Sequence, residues 1–331
     1  MALPLRNASL EEVLEPRLEL VEERLRDAVA QSDRLADATS RHLVNAGGKR
    51  LRPMLTLLTA QLGEGSRPEV LDAAVVVELT HLATLYHDDV MDSAPTRRGA
   101  PSAHEVWGNS VAILTGDLLF ARASSVVAGL GPTAVRIQAQ TFERLCLGQL
   151  HETVGPEDGD DAVEHYLQVL ADKTGSLIAT SARFGAMFAG CTPDVVARVT
   201  EYGELAGVAF QLADDVLDIR SDTEVSGKTP GTDLREGVAT MPVLLLRRRV
   251  AEGDGTAADV DLLAAIDGDL SSDEALAAVV EALRGHAVVD QTAALAREWA
   301  ERAKDAVAGL PAGEVRDALV SFADALVSRA A

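Results

Sequence analysis

The chain has 331 residues, a formal net charge of −22 and very few aromatic side chains. So acidic a balance argues against nucleic-acid binding, which needs clustered lysine and arginine, and admits a phosphate-bearing small ligand only where the few bases gather locally. Alanine, leucine and valine dominate and no alternating blocks recur with hairpin signals, which predicts an all-α fold, a single large helical domain over residues 1–331.

From Leu10 to Ala38, Val13, Leu18, Leu20, Val21, Leu25, Ala28 and Val29 recur at helical spacing among glutamates and arginines. This predicts an amphipathic helical segment with Pro16 as its potential break. Next comes Ala46-Gly47-Gly48-Lys49-Arg50-Leu51-Arg52-Pro53. The glycines permit close backbone approach, and Lys49 and Arg52 lie one helical turn apart. Three bases in four positions mark a candidate anion site; a solvated helix start paired with surface acids has the same spacing.

Met54 to Leu62 and Val70 to Tyr86 are apolar and helical in pattern, and the second runs into His87-Asp88-Asp89-Val90-Met91-Asp92. On a helix Asp88 and Asp92 stand one above the other with Asp89 beside them. Two unit charges about 4 Å apart repel by roughly 4 kcal/mol at an effective dielectric of about 20, so the cluster needs compensation. Oxygen-only donors suit a hard cation, and Mg²⁺ binds through one or two carboxylates while keeping other positions for water or substrate phosphate. A solvated acidic helix end is the alternative. His81 lies two turns before Asp88 on nearly the same face, where a satisfied interior histidine is the commoner outcome. Ala83 and Thr84 are small where a core helix normally carries leucine or phenylalanine, either for close helix packing or as the wall of an apolar channel. Arg97 and Arg98 follow within reach, with forks suited to phosphate and equally to neutralising the aspartates.

A helix from Ser110 to Ala128 contains Gly116-Asp117, and another runs through Gln149. The acidic run Glu152 to Asp161 predicts an exposed loop. Lys173-Thr174-Gly175 opens an apolar segment, where the lysine is either a phosphate contact or a surface charge. Phe210-Gln211-Leu212-Ala213-Asp214-Asp215-Val216-Leu217-Asp218 then repeats the first acidic pattern, with Asp214 and Asp218 four apart and Asp215 where Asp89 stood. Two such clusters, each closing an apolar helix, suggest acidic faces looking at each other across a cavity, as bundles build metal sites from facing helices. Ser226 to Gly237 reads as a glycine-rich polar loop in which Lys228 is a further phosphate candidate. Ala251 to Asp273 reads as a peripheral loop with a short helix, and Ala275 to Ala331 as amphipathic helices. Cys146 and Cys191 have neither metal-ligand nor disulfide spacing. With no long apolar core at the N-terminus and no uninterrupted apolar span of about 18 residues, the expectation is a cytoplasmic protein without a transmembrane segment.

Taken together, Gly48-Lys49-Arg50-Leu51-Arg52-Pro53, Asp88-Asp89-Val90-Met91-Asp92 with Arg97-Arg98-Gly99, Lys173-Thr174 and Phe210 to Asp218 resemble the trans-isoprenyl diphosphate synthases, the polyprenyl synthetase family. The resemblance runs in order from about Gly47 to Pro242. It implies an all-α fold with helices around a deep central cavity, a homodimer, and elongation of an allylic diphosphate by isopentenyl diphosphate. It assigns Asp88, Asp92, Asp214 and Asp218 to Mg²⁺, three ions with substrate bound, and gives Asp89 and Asp215 supporting roles. Lys49, Arg52, His81 and Arg98 are then expected to bind isopentenyl diphosphate, and Arg97, Lys173, Thr174, Gln211 and Lys228 the allylic substrate. One departure is Glu236-Gly237-Val238-Ala239-Thr240, where the family commonly has lysine in place of Val238. In the family, bulky side chains four and five positions before the first aspartate block the channel of short-chain enzymes. Here those positions hold Thr84 and Ala83, so a long-chain all-trans product is expected, with a twenty-carbon geranylgeranyl-type product as runner-up. A terpene cyclase, a non-catalytic partner subunit and a structural protein binding Mg²⁺ on its surface are the competing classes.

Overall fold

The structure, a computed structural model, describes residues 8–221 and 230–328. In chain order its first helices are α1 (Ala8–Val29), α2 (Arg34–Asn45), α3 (Leu51–Ala60) and α4 (Pro68–Met91). A minimal hairpin, β1 (Thr96–Arg97) and β2 (Ala100–Pro101), precedes α5 (Ala103–Trp107), α6 (Asn109–Gly129) and α7 (Pro132–Val154). Then come α8 (Ala162–Leu170), a π-helical turn (Ala171–Gly175), α9 (Ser176–Phe188) and α10 (Pro193–Arg220). The last are α11 (Thr232–Arg235), α12 (Met241–Ala251), α13 (Ala257–Ile266), α14 (Asp273–Arg284), α15 (Ala287–Val307) and α16 (Glu314–Ser328). The chain folds as two compact units. The first takes the described residues of Met1–Cys146, Ser176–Glu204 and Asp305–Phe322, and the second takes the rest.

In the first unit, α1 runs unbroken through Pro16. An interior proline removes one helical hydrogen bond, but Leu14, Val21, Leu25 and Val29 form one fully buried stripe that continues past it. The chain breaks after Val29 instead, where Asp33 caps α2 by accepting the Ala36 N–H at 2.9 Å. Helix α4 opens on a proline at its first turn and is buried nearly all round, as its continuous apolar text requires. Tyr86 is fully buried on it, donating to the Thr39 carbonyl and accepting from the Leu43 N–H, which ties α4 to α2. A Cβ at Gly116 would lie 2.3 Å from His87 Nε2 and 3.0 Å from the Ala83 carbonyl oxygen, so this glycine sets how closely α6 lies on α4. Among the described residues α6 is the one helix long and apolar enough to cross a membrane by length and composition, with Asp117 and Arg122 inside it and 33% of that span buried in the protein.

The core of the second unit joins Tyr166 and Leu170 of α8, Leu212 and Val216 of α10, Met241 and Leu246 of α12, and Leu283 and Val289. One detail differs from what the sequence predicts, and another agrees with it. Glu152 belongs to the last turn of α7, not to a loop, and forms an ion pair with Lys173. The peripheral stretch after Ala251 contains the expected short helix, α13, which opens with a capping box between Thr256 and Asp259. Asp259 is buried and also accepts from Arg249 Nε at 3.1 Å and pairs with His286 Nε2 at 2.9 Å, so one carboxylate ties three segments. The Thr256 N–H first, and then His286 and Arg249, hold this carboxyl below the usual carboxylate range. A depressed folded-state pKa stabilises the fold fully above the unfolded value of about 3.9 and ceases to do so as pH falls through the folded value. Asp259→Asn is therefore expected to lower the thermal midpoint by several degrees at pH 7 in a melting experiment, with the difference from the unsubstituted chain shrinking toward strongly acid pH.

Candidate active site

The last turn of α4 carries the first acidic cluster, with Asp92 as the helix C-cap. Asp88 is half-buried and Asp92 exposed, whereas Asp89 is 0% exposed. The burial of Asp89 has a partner: Arg97 Nε donates to its Oδ1 at 2.6 Å, while Oδ2 is buried without a hydrogen bond. Asp88 and Asp92 are thus the more exposed members of the triplet. Arg97 stands on β1, and the hairpin turns through Arg98 and Gly99, whose φ values of 55° and 78° suit a two-residue primed turn. Arginine is uncommon in that conformation. It is held there by its guanidinium, which donates to the carbonyls of Leu43, at 3.2 Å, and Gly47. His42 steadies the other strand through the Pro101 carbonyl at 2.8 Å.

Behind the hairpin lies a concentration of positive charge. Arg52, on the first turn of α3, is pushed down to about 10 by burial, with Arg98 adding repulsion and Glu78 and Asp88 opposing it. His81 is held well below the ordinary imidazole value by burial and then by Arg52, Arg98, Arg97 and Arg50. Arg98 is also pushed down, first by burial. Lys49 is exposed on the loop before α3. Arg50 stands apart from the other two bases of its motif. It is 6% exposed and locked to Glu22, to Glu78 at 2.7 Å and to the Val44 carbonyl at 3.1 Å. Burial opposes its charge, but those carboxylates more than offset it and raise its pKa. Within this unit Arg52, His81, Arg98 and Asp88 therefore share one electrostatic neighbourhood, and Arg50 is its foundation. Ala83 is fully buried close to Gly116, while Thr84, one turn before Asp88, is half-exposed and its hydroxyl donates to the His81 carbonyl at 2.8 Å.

The second cluster repeats this division of labour by other means. Asp215 is 4% exposed and accepts the Tyr166 hydroxyl at 3.1 and 3.0 Å and the Met241 N–H at 3.2 Å. Burial pushes its carboxyl well above the ordinary range and the Tyr166 phenol well above its own. Asp214 and Asp218 are half-buried on α10, with Gln211 a turn earlier. The Asp218 carbonyl receives the Gly231 N–H at 2.9 Å, and Lys228 lies outside the described residues. Lys173 and buried Thr174 sit in the π turn, a distortion often found at functional sites. Val238 lines an open cavity of about 500 Å³ with Arg235, Arg247 and Leu270. Glu78, Glu152 and Tyr166 are partners that motif spacing does not point to. For Glu78 a signal is present as a single acid inside the apolar run from Val75 to Leu79, since an acid is almost never buried unless paired.

Among the described residues no three His, Cys, Asp or Glu side chains converge to hold a metal by themselves. Each cluster instead offers two aspartates four apart with oxygen donors only, a set that suits a hard cation sharing its coordination with substrate oxygens. Residues 33–283 match the polyprenyl synthetase family model. The chain belongs to the polyprenyl synthetase family. It is 45% identical over 310 residues to a nonaprenyl diphosphate synthase of Mycobacterium tuberculosis, covering 93% of this chain and 91% of that one. Its fold is close to that of a polyprenyl synthase from Caulobacter crescentus complexed with calcium and isoprenyl diphosphate, with a TM-score of 0.88, 34% identity and 97% coverage of both chains. A geranylgeranyl pyrophosphate synthase from Corynebacterium glutamicum, in the same kind of complex, matches with a TM-score of 0.86, 41% identity and 98% coverage of both. The all-α architecture is thus that of the family.

Proposed function

We propose that this chain is a Mg²⁺-dependent prenyltransferase. It transfers an allylic prenyl group to isopentenyl diphosphate, releases diphosphate, and repeats the step to build a long-chain all-trans polyprenyl diphosphate. The observation that carries the reading is the gathering of Arg52 and Arg98 around His81 in the same unit as the more exposed carboxylates Asp88 and Asp92. It supplies an anion site for a second diphosphate, which a terpene cyclase does not need. Family membership and the complexes of two relatives with isoprenyl diphosphate support the same substrates.

We assign Asp88, Asp92, Asp214 and Asp218 as Mg²⁺ ligands and Asp89 and Asp215 as their buried supports. The calcium in the relatives supports a divalent cation, and the all-oxygen donor set suits magnesium; we take the substrate complex to hold three ions, as the family resemblance implies. When bound, such ions stabilise the negative charge that grows on a departing diphosphate. Lys49, Arg52, His81 and Arg98 bind isopentenyl diphosphate. Arg97, Lys173, Thr174, Gln211 and Lys228 contact the allylic diphosphate. Cleavage leaves an allylic cation, the isopentenyl double bond attacks it, and loss of a proton completes the addition. No strong protein base is conspicuous among these residues, and in our reading the departing diphosphate takes the proton.

We assign both units to one catalytic domain, working in the cytoplasm as a homodimer. Exposed apolar side chains on α5 and α6, Val106 and Ile113 with Leu114 at 65% exposure, support a partner surface. A geranylgeranyl-type product is the second reading, favoured by the likeness to the Corynebacterium enzyme. The test is incubation with labelled isopentenyl diphosphate and a short allylic primer, followed by chromatography of the products. Long-chain material is expected with Mg²⁺, turnover is expected to stop on chelation and to return when Mg²⁺ is restored, and accumulation of only fifteen-carbon product would refute the long-chain reading.

A further inference from the structure

We infer that Glu78 is a positioning residue for the isopentenyl diphosphate site, its buried carboxylate fixing where the Arg98 guanidinium stands and offsetting the charge of Arg52 beside it. This rests on the function proposed above. Glu78 lies on α4 one turn before His81 and is 1% exposed. One oxygen, Oε1, accepts from Arg50 Nη1 at 2.7 Å and lies 3.9 Å from Arg98 Nη2. The same acid gives Arg52 its largest favourable charge interaction, ahead of Asp88, and it does so for Arg98 ahead of Glu22.

The surroundings explain why one carboxylate carries so much. Arg50 and Arg98 both have left-handed backbones, with φ of 49° and 55°, a conformation that costs energy for a side chain with Cβ and persists where neighbours fix it. Arg98 also lies flat against Gly48, where a Cβ would come within 2.8 Å of its Cζ, so the loop and the arginine are fitted to each other. Three guanidinium groups gathered with little water repel one another, and an acid among them is what lets them stay together without ligand. Arg50 has a second carboxylate, Glu22 on α1, and the Val44 carbonyl besides. Losing Glu78 therefore leaves Arg50 anchored, whereas Arg98 and Arg52 lose their largest compensation. The consequence falls on one substrate.

Two variants of the full chain separate positioning from simple support. Glu78→Gln keeps the shape and removes the charge. It is expected to raise KM for isopentenyl diphosphate about tenfold or more, with KM for the allylic primer within about twofold of the parent. Glu22→Gln weakens the same buried pair from the far side, and is expected to lower the thermal midpoint while leaving both KM values within about twofold. Should Glu78→Gln not fold, Glu78→Asp, which keeps the charge and withdraws it by one methylene, is expected to raise the isopentenyl KM alone by a smaller factor. An unchanged isopentenyl KM in the folded Glu78 variant, an equal rise in both KM values, or the same kinetic change from Glu22→Gln would overturn the assignment. Failure of the parent chain to incorporate isopentenyl diphosphate at all would instead overturn the proposed function.

Discussion

Replacing Asp88 and Asp92 together with alanine is expected to lower kcat by at least about 10³-fold, since removing even one charge-stabilising group from such a site costs about 10²–10³. The helical content and thermal midpoint should stay close to those of the parent. Both side chains stand at the C-terminal end of α4, one half-buried and one exposed. Negative charge there opposes the helix dipole, so its removal does not weaken the helix. Asp89→Asn is expected to act on stability as well. That carboxylate is fully buried on Arg97, and leaving the arginine without its ionic partner is expected to cost about 1–3 kcal/mol of stability. Circular dichroism melts and a turnover assay on the two variants separate these outcomes. Full activity in the double alanine variant would sink the enzyme reading.

What could be read in the sequence was what local periodicity determines. Helical spacing put Asp88 with Asp92 and Asp214 with Asp218, and the structure finds both pairs on apolar helices. Side chains whose fate depends on distant partners were not legible. Arg50 shares its motif with Lys49 and Arg52, yet it turns inward because Glu22 and Glu78, each 28 positions away, meet it there. The same holds for Glu152, which has the look of an acidic loop residue in sequence but ends a helix beside Lys173 in the fold. Asp89 and Asp215 occupy equivalent places in their motifs but are satisfied by an arginine on a hairpin in one case and by a tyrosine hydroxyl and a backbone N–H in the other. Motif spacing specifies that the middle aspartate is present; the tertiary fold chooses its partner.

The two small residues before the first cluster can now be told apart, and the distinction sets the last expectation. Ala83 is fully buried on α4, so a large side chain there must displace the neighbours that cover it. Ala83→Phe is expected to cost about 1–3 kcal/mol through overpacking, read as a lowered thermal midpoint. Thr84 is half-exposed, and its hydroxyl is satisfied within its own helix by the His81 carbonyl, so replacing it leaves no distant group unpaired. Thr84→Phe is therefore expected to fold with near-parent stability and to shift the product toward fifteen and twenty carbons, measured by mass after removal of the diphosphate. If the product keeps its full length in a stable Thr84→Phe chain, the growing tail does not pass this face of α4 and the limit on its length lies elsewhere. If it shortens, the helix that holds Asp88 and Asp92 at its end also sets, one turn earlier, how many times the reaction repeats.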